Sequence, residues 1–204
     1  MNATKLFAAN LDLARSCRDH PFVQGIASGR LDRAAFCFFI GQDARFLDAF
    51  VRAYAMGVAK APDQEAMTAF KVLLDGGFDE LQLHRAYAAR WGADLAQEVA
   101  PATSAYIDFL LGVATLEPVG HICAAMTPCM RLYAWLGREL ATSNESPYRE
   151  WVEAYAAPSF QQLATTLEGL LNRLGGDPSV IAAHYRTAMC LELAFFDAAH
   201  PETL

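Results

Sequence analysis

Alanine and leucine dominate this sequence at the expense of the residues that favour β-strands. The chain has 38 alanine and 24 leucine residues, but valine and isoleucine together number only 14. Alanine and leucine are strong helix formers, whereas β-branched side chains favour strands. In addition, no segment alternates between apolar and polar side chains with the period of two that marks a half-buried strand. The sequence therefore predicts an all-α fold.

Proline and glycine divide the chain into helical segments with short connections. Helices are predicted at about 3–19, 32–60, 63–92, 102–115, 117–142, 146–157, 158–175 and 178–200. The pair Gly76-Gly77 could bend or break the third of them, and Pro128 is expected to kink the fifth immediately before Cys129. No connection has the composition of an interdomain linker. Residues 1–204 are therefore interpreted as a single domain, a bundle of about seven to eight helices.

Charge and cysteine content exclude several classes of protein. The net charge is −7, and no cluster of lysine or arginine offers a surface for nucleic acid or an anionic membrane. The five cysteines are an odd number without a Cys-x-x-Cys pair, so reduced thiols and a cytoplasmic location are expected. The first 22 residues are charged throughout, unlike a signal peptide, and no run of 18 apolar residues predicts a membrane span.

Two carboxylates interrupt apolar helix faces. Asp43 follows Phe39 and Ile40 and precedes Phe46 and Phe50 at helical spacing. Burying an unpaired carboxylate costs free energy, so a carboxylate on such a face must be paired or hydrogen-bonded. A structural tie between helices and a place in a polar active-site cavity are equally compatible with this pattern. Glu192 occupies the same kind of position in the last helix, where burial would raise its pKa toward that of a general acid. Its face consists of His184, Tyr185, Ala188, Phe195, Phe196 and Ala199.

Cys129 differs from the other four cysteines because it follows a proline inside a helical segment. Most cysteines act as small core residues, and Cys17, Cys37, Cys123 and Cys190 are interpreted in that way. Pro128 removes a backbone hydrogen bond and would tilt the next residue out of the regular helix. Tyr133 lies on the same helix face, four residues later. Cys129 is therefore interpreted as the exception, a candidate for a reactive rather than a structural thiol.

Four segments, in order along the chain, resemble the TenA family, the thiaminase II or aminopyrimidine aminohydrolase group of the haem-oxygenase-like helical bundles. They are FCFFIGQDARFLDAFVRAYAMGVAKAP, TPCMRLYAWLG, SPYREWVEAYAAPSFQQL and LELAFFDAAH. The resemblance covers essentially the whole chain. It implies a haem-oxygenase-like bundle that hydrolyses an aminopyrimidine in thiamine salvage, releasing an amine or a thiazole to leave hydroxymethylpyrimidine.

The resemblance also implies roles for individual residues. Cys129 would be the nucleophile, Glu192 its acid–base partner and Asp43 the carboxylate that binds the pyrimidine ring. Aromatic residues would line the pocket, namely Phe46, Tyr106, Tyr133, Tyr155 and Phe195. Phe46 stands where many members have tyrosine, and Phe196 replaces a usual tryptophan, so both positions lose a hydrogen-bonding tip. The addition of a thiol to the ring and the release of the amine need no cofactor, and no metal is expected. The resemblance further implies a homotetramer, and the sequence leaves open whether thiamine or an aminomethylpyrimidine is the substrate.

Two other classes of function fit parts of the sequence. A non-haem di-iron site would draw on the pairs Glu80/His84, Glu117/His121 and Asp197/His200, although Glu80/His84 could be an ordinary surface pair and Pro118 separates Glu117 from His121. A non-catalytic, pyrimidine-binding or regulatory relative is the other alternative. Against the latter, binding alone needs no thiol, yet Cys129 is present together with the two carboxylates.

Overall fold

A computed structural model describes residues 2–140 and 146–200 and contains ten α-helices within these ranges. In chain order they are α1 (Ala3–Ala9), α2 (Leu11–Asp19), α3 (Pro21–Ser28), α4 (Arg33–Lys60), α5 (Gln64–Trp91), α6 (Pro101–Leu116), α7 (Val119–Glu139), α8 (Arg149–Ala156), α9 (Pro158–Leu174) and α10 (Pro178–Ala199). None of the described residues forms a strand. The predicted all-α fold is confirmed.

The N-terminal region contains three helices where the sequence predicted one. The predicted helix 3–19 is divided at Asn10, whose side-chain amide donates to the carbonyl of Leu6 at 2.9 Å. Asparagine side chains compete in this way with helical backbone bonds, which the continuous apolar spacing did not reveal. Proline is well suited to the first position of a helix, so Pro21 begins α3 rather than only ending the preceding helix. These two differences raise the number of helices from about seven or eight to ten.

Two predicted interruptions of long helices do not break them. Helix α5 continues through Gly76 and Gly77, and these glycines allow close packing instead. A Cβ atom on Gly76 would lie 2.6 Å from the side chain of Leu163 in α9. Helix α7 likewise continues through Pro128 and ends at Glu139, so positions 141 and 142 of the predicted helix lie outside the described residues.

The long helices surround one hydrophobic core and carry the polar residues of the candidate site into it. Helix α4 packs against α5 and α6, while α7 packs against α9 and α10. Asp43 on α4, His84 on α5 and Glu192 on α10 are buried, and Cys129 on α7 is partly buried beside them. In the part of the chain that the structure describes, no helix is long and apolar enough to cross a membrane.

Candidate active site

A small cavity of about 10 Å³ lies between the long helices, with room for about one water molecule. Five of the eight predicted site residues line it: Asp43, Phe46, Cys129, Tyr133 and Tyr155. The remaining wall is formed by Leu47, Phe50, Glu80, Met130 and Phe160. Side chains from five helices, α4, α5, α7, α8 and α9, therefore line one cavity. Most of its wall is apolar, and a few polar groups face into it.

The other three predicted residues lie directly behind this wall. Tyr106 packs its ring 4.5 Å from that of Phe46, and Phe195 packs at 6.0 Å from the same ring. The hydroxyl of Tyr106 donates to Oε1 of Glu192 at 2.7 Å. The Cys129 thiol lies close enough to the Glu192 carboxyl group for each to influence the pKa of the other. Glu192 thus connects the thiol at the cavity to a buried tyrosine.

Burial sets the protonation states of this pair. Glu192 is enclosed by apolar groups, so desolvation raises its pKa to about 8, even though the hydrogen bond from Tyr106 and the nearby Cys129 thiol partly oppose the shift. Desolvation also raises the pKa of Cys129, and the nearby carboxylates of Glu192, Glu80 and Asp43 raise it further. At neutral pH the resting site therefore holds a neutral thiol beside a mainly protonated glutamic acid.

Asp43 has a buried partner on the neighbouring helix. Its Oδ2 lies 2.6 Å from Nε2 of His84, and Nδ1 of His84 lies 3.0 Å from the backbone carbonyl of Glu80. A carbonyl oxygen can only accept, so Nδ1 must carry a proton. With an ionised Asp43 as the second acceptor, both ring nitrogens are protonated and the pair is an imidazolium–carboxylate ion pair. The structural tie between helices is therefore present, between α4 and α5.

The charges around His84 agree with this assignment. Burial alone would lower its pKa. The carboxylates of Asp43 and Glu80, together with the hydrogen bonds to the Asp43 carboxylate and to the backbone carbonyl of Glu80, outweigh burial and raise the pKa to about 9. Glu80 itself accepts from the hydroxyl of Tyr155 at 3.0 Å. Desolvation raises the pKa of Glu80 to about 7, against the opposing effect of His84. A second polar chain thus runs from Asp43 through His84 and Glu80 toward Tyr155.

Glu80 and His84 are functional candidates that the sequence analysis placed elsewhere. The interpretation of the two as a surface pair is wrong, because His84 is only 1% exposed and Glu80 reaches the cavity. A signal for this was present in α5, where the apolar positions recur at three- and four-residue intervals. Those positions are Phe70, Leu73, Gly77 and Tyr87, and continuing their spacing passes through both Glu80 and His84.

The structure separates the pairs proposed for a di-iron site. Glu117 contacts His121 and also His184 on α10. Asp197 contacts His20 instead. Glu80 and His84 lie at the cavity, where His84 pairs with Asp43. A di-iron centre needs carboxylate and histidine ligands from several helices at one point. Among the described residues, only Glu117, His121 and His184 form a group of three or more potential metal ligands. These pairs therefore do not assemble a shared di-iron centre.

A groove on the surface adjoins the cavity. It has a volume of about 270 Å³ and lies between α5 and the α8–α9 corner. Glu80, Tyr155 and Phe160 line both the groove and the cavity. These three side chains therefore form the thin wall between the cavity and solvent.

The free energy of unfolding is expected to fall as the pH rises from about 4.5 to about 9. Folding raises the pKa of Glu192 from 4.5 to about 8 and that of Glu80 from 4.5 to about 7. Above pH 4.5 both groups lose their protons in the unfolded chain but keep them in the folded protein. Ionisation therefore favours the unfolded chain, and the free energy of unfolding falls until each group also ionises in the folded protein. Folding raises the pKa of His84 from 6.5 to about 9. The contribution of His84 to the free energy of unfolding is therefore complete below pH 6.5 and is lost as the pH rises through 9. Urea denaturation across this pH range measures the trend, and a rise in stability would contradict it.

Comparison with known protein families identifies the family to which this sequence belongs. The family model described as TENA/THI-4/PQQC matches residues 9–183. The chain belongs to the TENA/THI-4/PQQC family. The sequence-based assignment to TenA proteins is thereby confirmed.

Individual relatives and solved structures agree with that membership. The aminopyrimidine aminohydrolase of Halalkalibacterium halodurans is 34% identical, over 91% of this chain and 89% of its own length. The mitochondrial bifunctional TH2 protein of Arabidopsis thaliana is 32% identical over 87% of this chain, which spans only about a third (34%) of that longer protein.

Two solved structures support the fold. The structure of a TenA homologue from Pyrococcus furiosus superposes with a TM-score of 0.90 at 24% identity, covering 98% of this chain and 100% of that one. Haem oxygenase-1 of the cyanobacterium Synechocystis has the same fold at 17% identity, with a TM-score of 0.63 over 97% of this chain and 91% of its own. These two likenesses confirm the predicted haem-oxygenase-like bundle.

Proposed function

We propose that the protein is an aminopyrimidine aminohydrolase of the thiaminase II type that acts in thiamine salvage. It would replace an amine on the methylene group of an aminopyrimidine by hydroxyl, consuming water and releasing the amine. The observation that carries this proposal is the cavity that brings the Cys129 thiol and Asp43 together among aromatic side chains, with the buried acid Glu192 close behind the thiol. The aminopyrimidine aminohydrolase among the relatives supports the same reaction class.

Asp43 would recognise the ring. An aminopyrimidine presents an amino group beside a ring nitrogen, and a carboxylate can accept paired hydrogen bonds from such an edge when that nitrogen is protonated. Oδ2 of Asp43 already accepts a hydrogen bond from Nε2 of His84, which holds the carboxylate in place. Phe46, Tyr133 and Tyr155 would then enclose the flat faces of the ring.

Glu192 and Cys129 would carry out the addition together. Because Glu192 is mainly protonated at neutral pH, it can give its proton to a ring nitrogen while accepting the thiol proton of Cys129. A bond forms between the cysteine sulfur and an electron-poor ring carbon, and the ring becomes electron-rich. This exchange leaves no uncompensated charge in the buried site. The hydroxyl of Tyr106 would hold Glu192 in position throughout, through its 2.7 Å hydrogen bond.

The electron-rich ring would then expel the amine from the attached methylene, and the proton on the ring nitrogen passes to the departing amine. Water adds to the methylene carbon, where its hydroxyl forms the new C–O bond while its other proton returns to the ring nitrogen. Finally the bond between the ring and the Cys129 sulfur breaks, and Glu192 returns the proton to the thiol while the ring regains its aromaticity. The sum of these steps is one water consumed and one amine released, with the enzyme regenerated. The reaction needs no cofactor.

The size of the cavity favours a small leaving group. With a volume of about 10 Å³, the cavity must widen to admit any aminopyrimidine, and thiamine requires more widening because its thiazole ring has to be accommodated as well. We therefore expect the enzyme to prefer an aminomethylpyrimidine over thiamine.

Incubating the purified protein separately with each compound tests the function. Ammonia and hydroxymethylpyrimidine should appear in equal amounts from the aminomethylpyrimidine, with a higher kcat/KM than for thiamine. Absence of both products from both substrates would contradict the proposed function, and faster turnover of thiamine would contradict the substrate preference.

Replacement of Asp43 by asparagine is expected to weaken aminopyrimidine binding by about 1–3 kcal/mol, because one acceptor oxygen becomes a donor. Since Asp43 also pairs with His84, the melting temperature should fall as well. Calorimetric titration with an unreactive aminopyrimidine, together with thermal unfolding, measures both effects.

The variant His84→Gln is the matched control for this substitution. It removes the ion pair but keeps the Asp43 carboxylate, so it should lower the melting temperature with a smaller loss of affinity. If Asp43→Asn binds the pyrimidine normally, Asp43 is only a tie between α4 and α5, and its proposed role in recognition is wrong.

The proposed setting is a cytoplasmic homo-oligomer whose only required partner is its small-molecule substrate. The cytoplasmic location is proposed from the odd number of cysteines and the lack of a Cys-x-x-Cys pair, a pattern typical of reduced thiols. A tetramer is proposed from the resemblance to TenA proteins alone, and light scattering coupled to gel filtration would measure it.

A further inference from the structure

A second cluster of reactive side chains lies apart from the cavity, where the α6–α7 corner meets α10. Nδ1 of His121 and Nε2 of His184 each lie 2.7 Å from the same atom, Oε2 of Glu117. The potential ligand atoms of the three residues all lie within 4.8 Å of one another. His184 and Glu192 are eight residues apart on α10, or about 12 Å along the helix, so this cluster is distinct from the proposed catalytic site.

We propose that Glu117, His121 and His184 form a binding site for a divalent transition-metal ion of the Zn²⁺ class. Two imidazole nitrogens and one carboxylate oxygen are typical ligands of this class, and three protein ligands leave a position for water. In a tetrahedral site with bonds of about 2.0–2.1 Å, ligand atoms lie about 3.4 Å apart. The present spacing of 2.7 Å between the oxygen and each nitrogen therefore requires only a small side-chain movement.

The surroundings of the cluster position its ligands and keep them accessible. The ammonium group of Lys60 donates to the backbone carbonyl of Glu117 at 2.8 Å, which fixes the residue at the end of α6. The ring of His121 packs against the backbone of Gly176, where a Cβ atom would lie 2.7 Å from Nε2. The side chains of Glu117, His121 and His184 are 32%, 14% and 16% exposed, so an ion can reach them from solvent.

The charges at the cluster suit a cation. The carboxyl group of Glu117 supplies the oxygen ligand, and each imidazole supplies a nitrogen ligand once it gives up the proton that it shares with Oε2 of Glu117. Asp177 adds a negative charge near His121, while Lys60 contributes the positive charge nearby. A bound ion would join the α6–α7 corner to α10, the helix that carries Glu192. Its effect would therefore be to stabilise the bundle.

Titration of the purified, metal-free protein with Co²⁺ tests the site, with visible absorption and calorimetry as readouts. One ion per chain should bind, with the spectrum of tetrahedral Co²⁺, and Zn²⁺ should displace it and raise the melting temperature. Removing a direct ligand by Glu117→Gln or His184→Gln should weaken binding by more than about 100-fold. Circular dichroism checks that these variants fold.

Two control variants distinguish this site from other metal-binding groups. His20→Gln removes another histidine–carboxylate pair, His20 with Asp197, and should bind Co²⁺ like the unaltered protein. Cys190→Ser removes the exposed thiol and should also bind normally. No binding by the unaltered protein, or equal affinity in His184→Gln, would overturn the proposal, and the cluster would then be a hydrogen-bonded tie between helices. Loss of binding in Cys190→Ser alone would also overturn it.

Discussion

Cys129→Ser is expected to lose at least about 10³-fold in kcat while it still binds an aminopyrimidine. A serine hydroxyl is a much poorer nucleophile than a thiol that can pass its proton to Glu192. The substitution leaves Asp43 and the aromatic wall of the cavity unchanged, so recognition of the ring should persist. Ammonia release and calorimetric titration measure the two properties separately.

Three of the four remaining cysteines supply the controls for this prediction. Cys17 is buried in the core, Cys37 donates to the backbone carbonyl of Trp91, and Cys190 is exposed, so none of them lines the cavity. Cys17→Ser, Cys37→Ser and Cys190→Ser should therefore keep their activity. Full turnover by Cys129→Ser would remove covalent catalysis from the mechanism.

Glu192→Gln is expected to lower kcat by about 10²–10⁴-fold with little change in substrate affinity. Glutamine keeps the size of the side chain and can hydrogen-bond to Tyr106, but it cannot exchange a proton. In the unaltered enzyme, kcat should also decline as the pH rises through about 8, where Glu192 loses the proton it must donate. That decline should be absent from the residual activity of the variant.

The same substitution has a predicted effect on stability. Because folding raises the pKa of Glu192, ionisation of the unfolded chain destabilises the fold between pH 4.5 and about 8. Glutamine removes this loss, so Glu192→Gln should be as stable as the unaltered protein at pH 7, or more stable. Glu168→Gln is the matched control, since Glu168 is partly buried beside Arg131, away from the cavity, and should retain activity. Unfolding of the Glu192 variant would indicate a structural ion pair instead.

Local patterns in the sequence were sufficient to single out Asp43, Cys129 and Glu192, whereas the aromatic wall of the candidate site was expected from the resemblance to TenA proteins. Asp43 and Glu192 interrupt apolar helix faces, and the structure buries both at 5% and 2% exposure. Helical spacing determines which residues share a face, and a carboxylate on such a face must find a partner. The identity of that partner depends on another helix, far away in sequence. Tyr106 and Glu192 are 86 positions apart, and no local pattern relates them.

Other features of the fold could not be predicted from local patterns, because they depend on competition between local and long-range interactions. The break at Asn10 arises because a side-chain amide takes a backbone carbonyl, although the apolar spacing around it suits one continuous helix. Gly76 suggested a weak point in α5 but instead permits close contact with Leu163. The pairing of His184 with Glu117 brings the start of α10 to the end of α6 and depends on how the whole bundle closes.

The central chemical claim of this mechanism is that the amine leaves before water adds. This order can be measured by adding a competing small nucleophile, such as hydroxylamine, during turnover of aminopyrimidines that carry either ammonia or methylamine as the leaving group. If a Cys129 adduct expels the amine before water adds, both substrates pass through the same intermediate, and the ratio of trapped product to hydroxymethylpyrimidine should be identical. A ratio that changes with the leaving group would contradict the account, because water would then displace the amine directly.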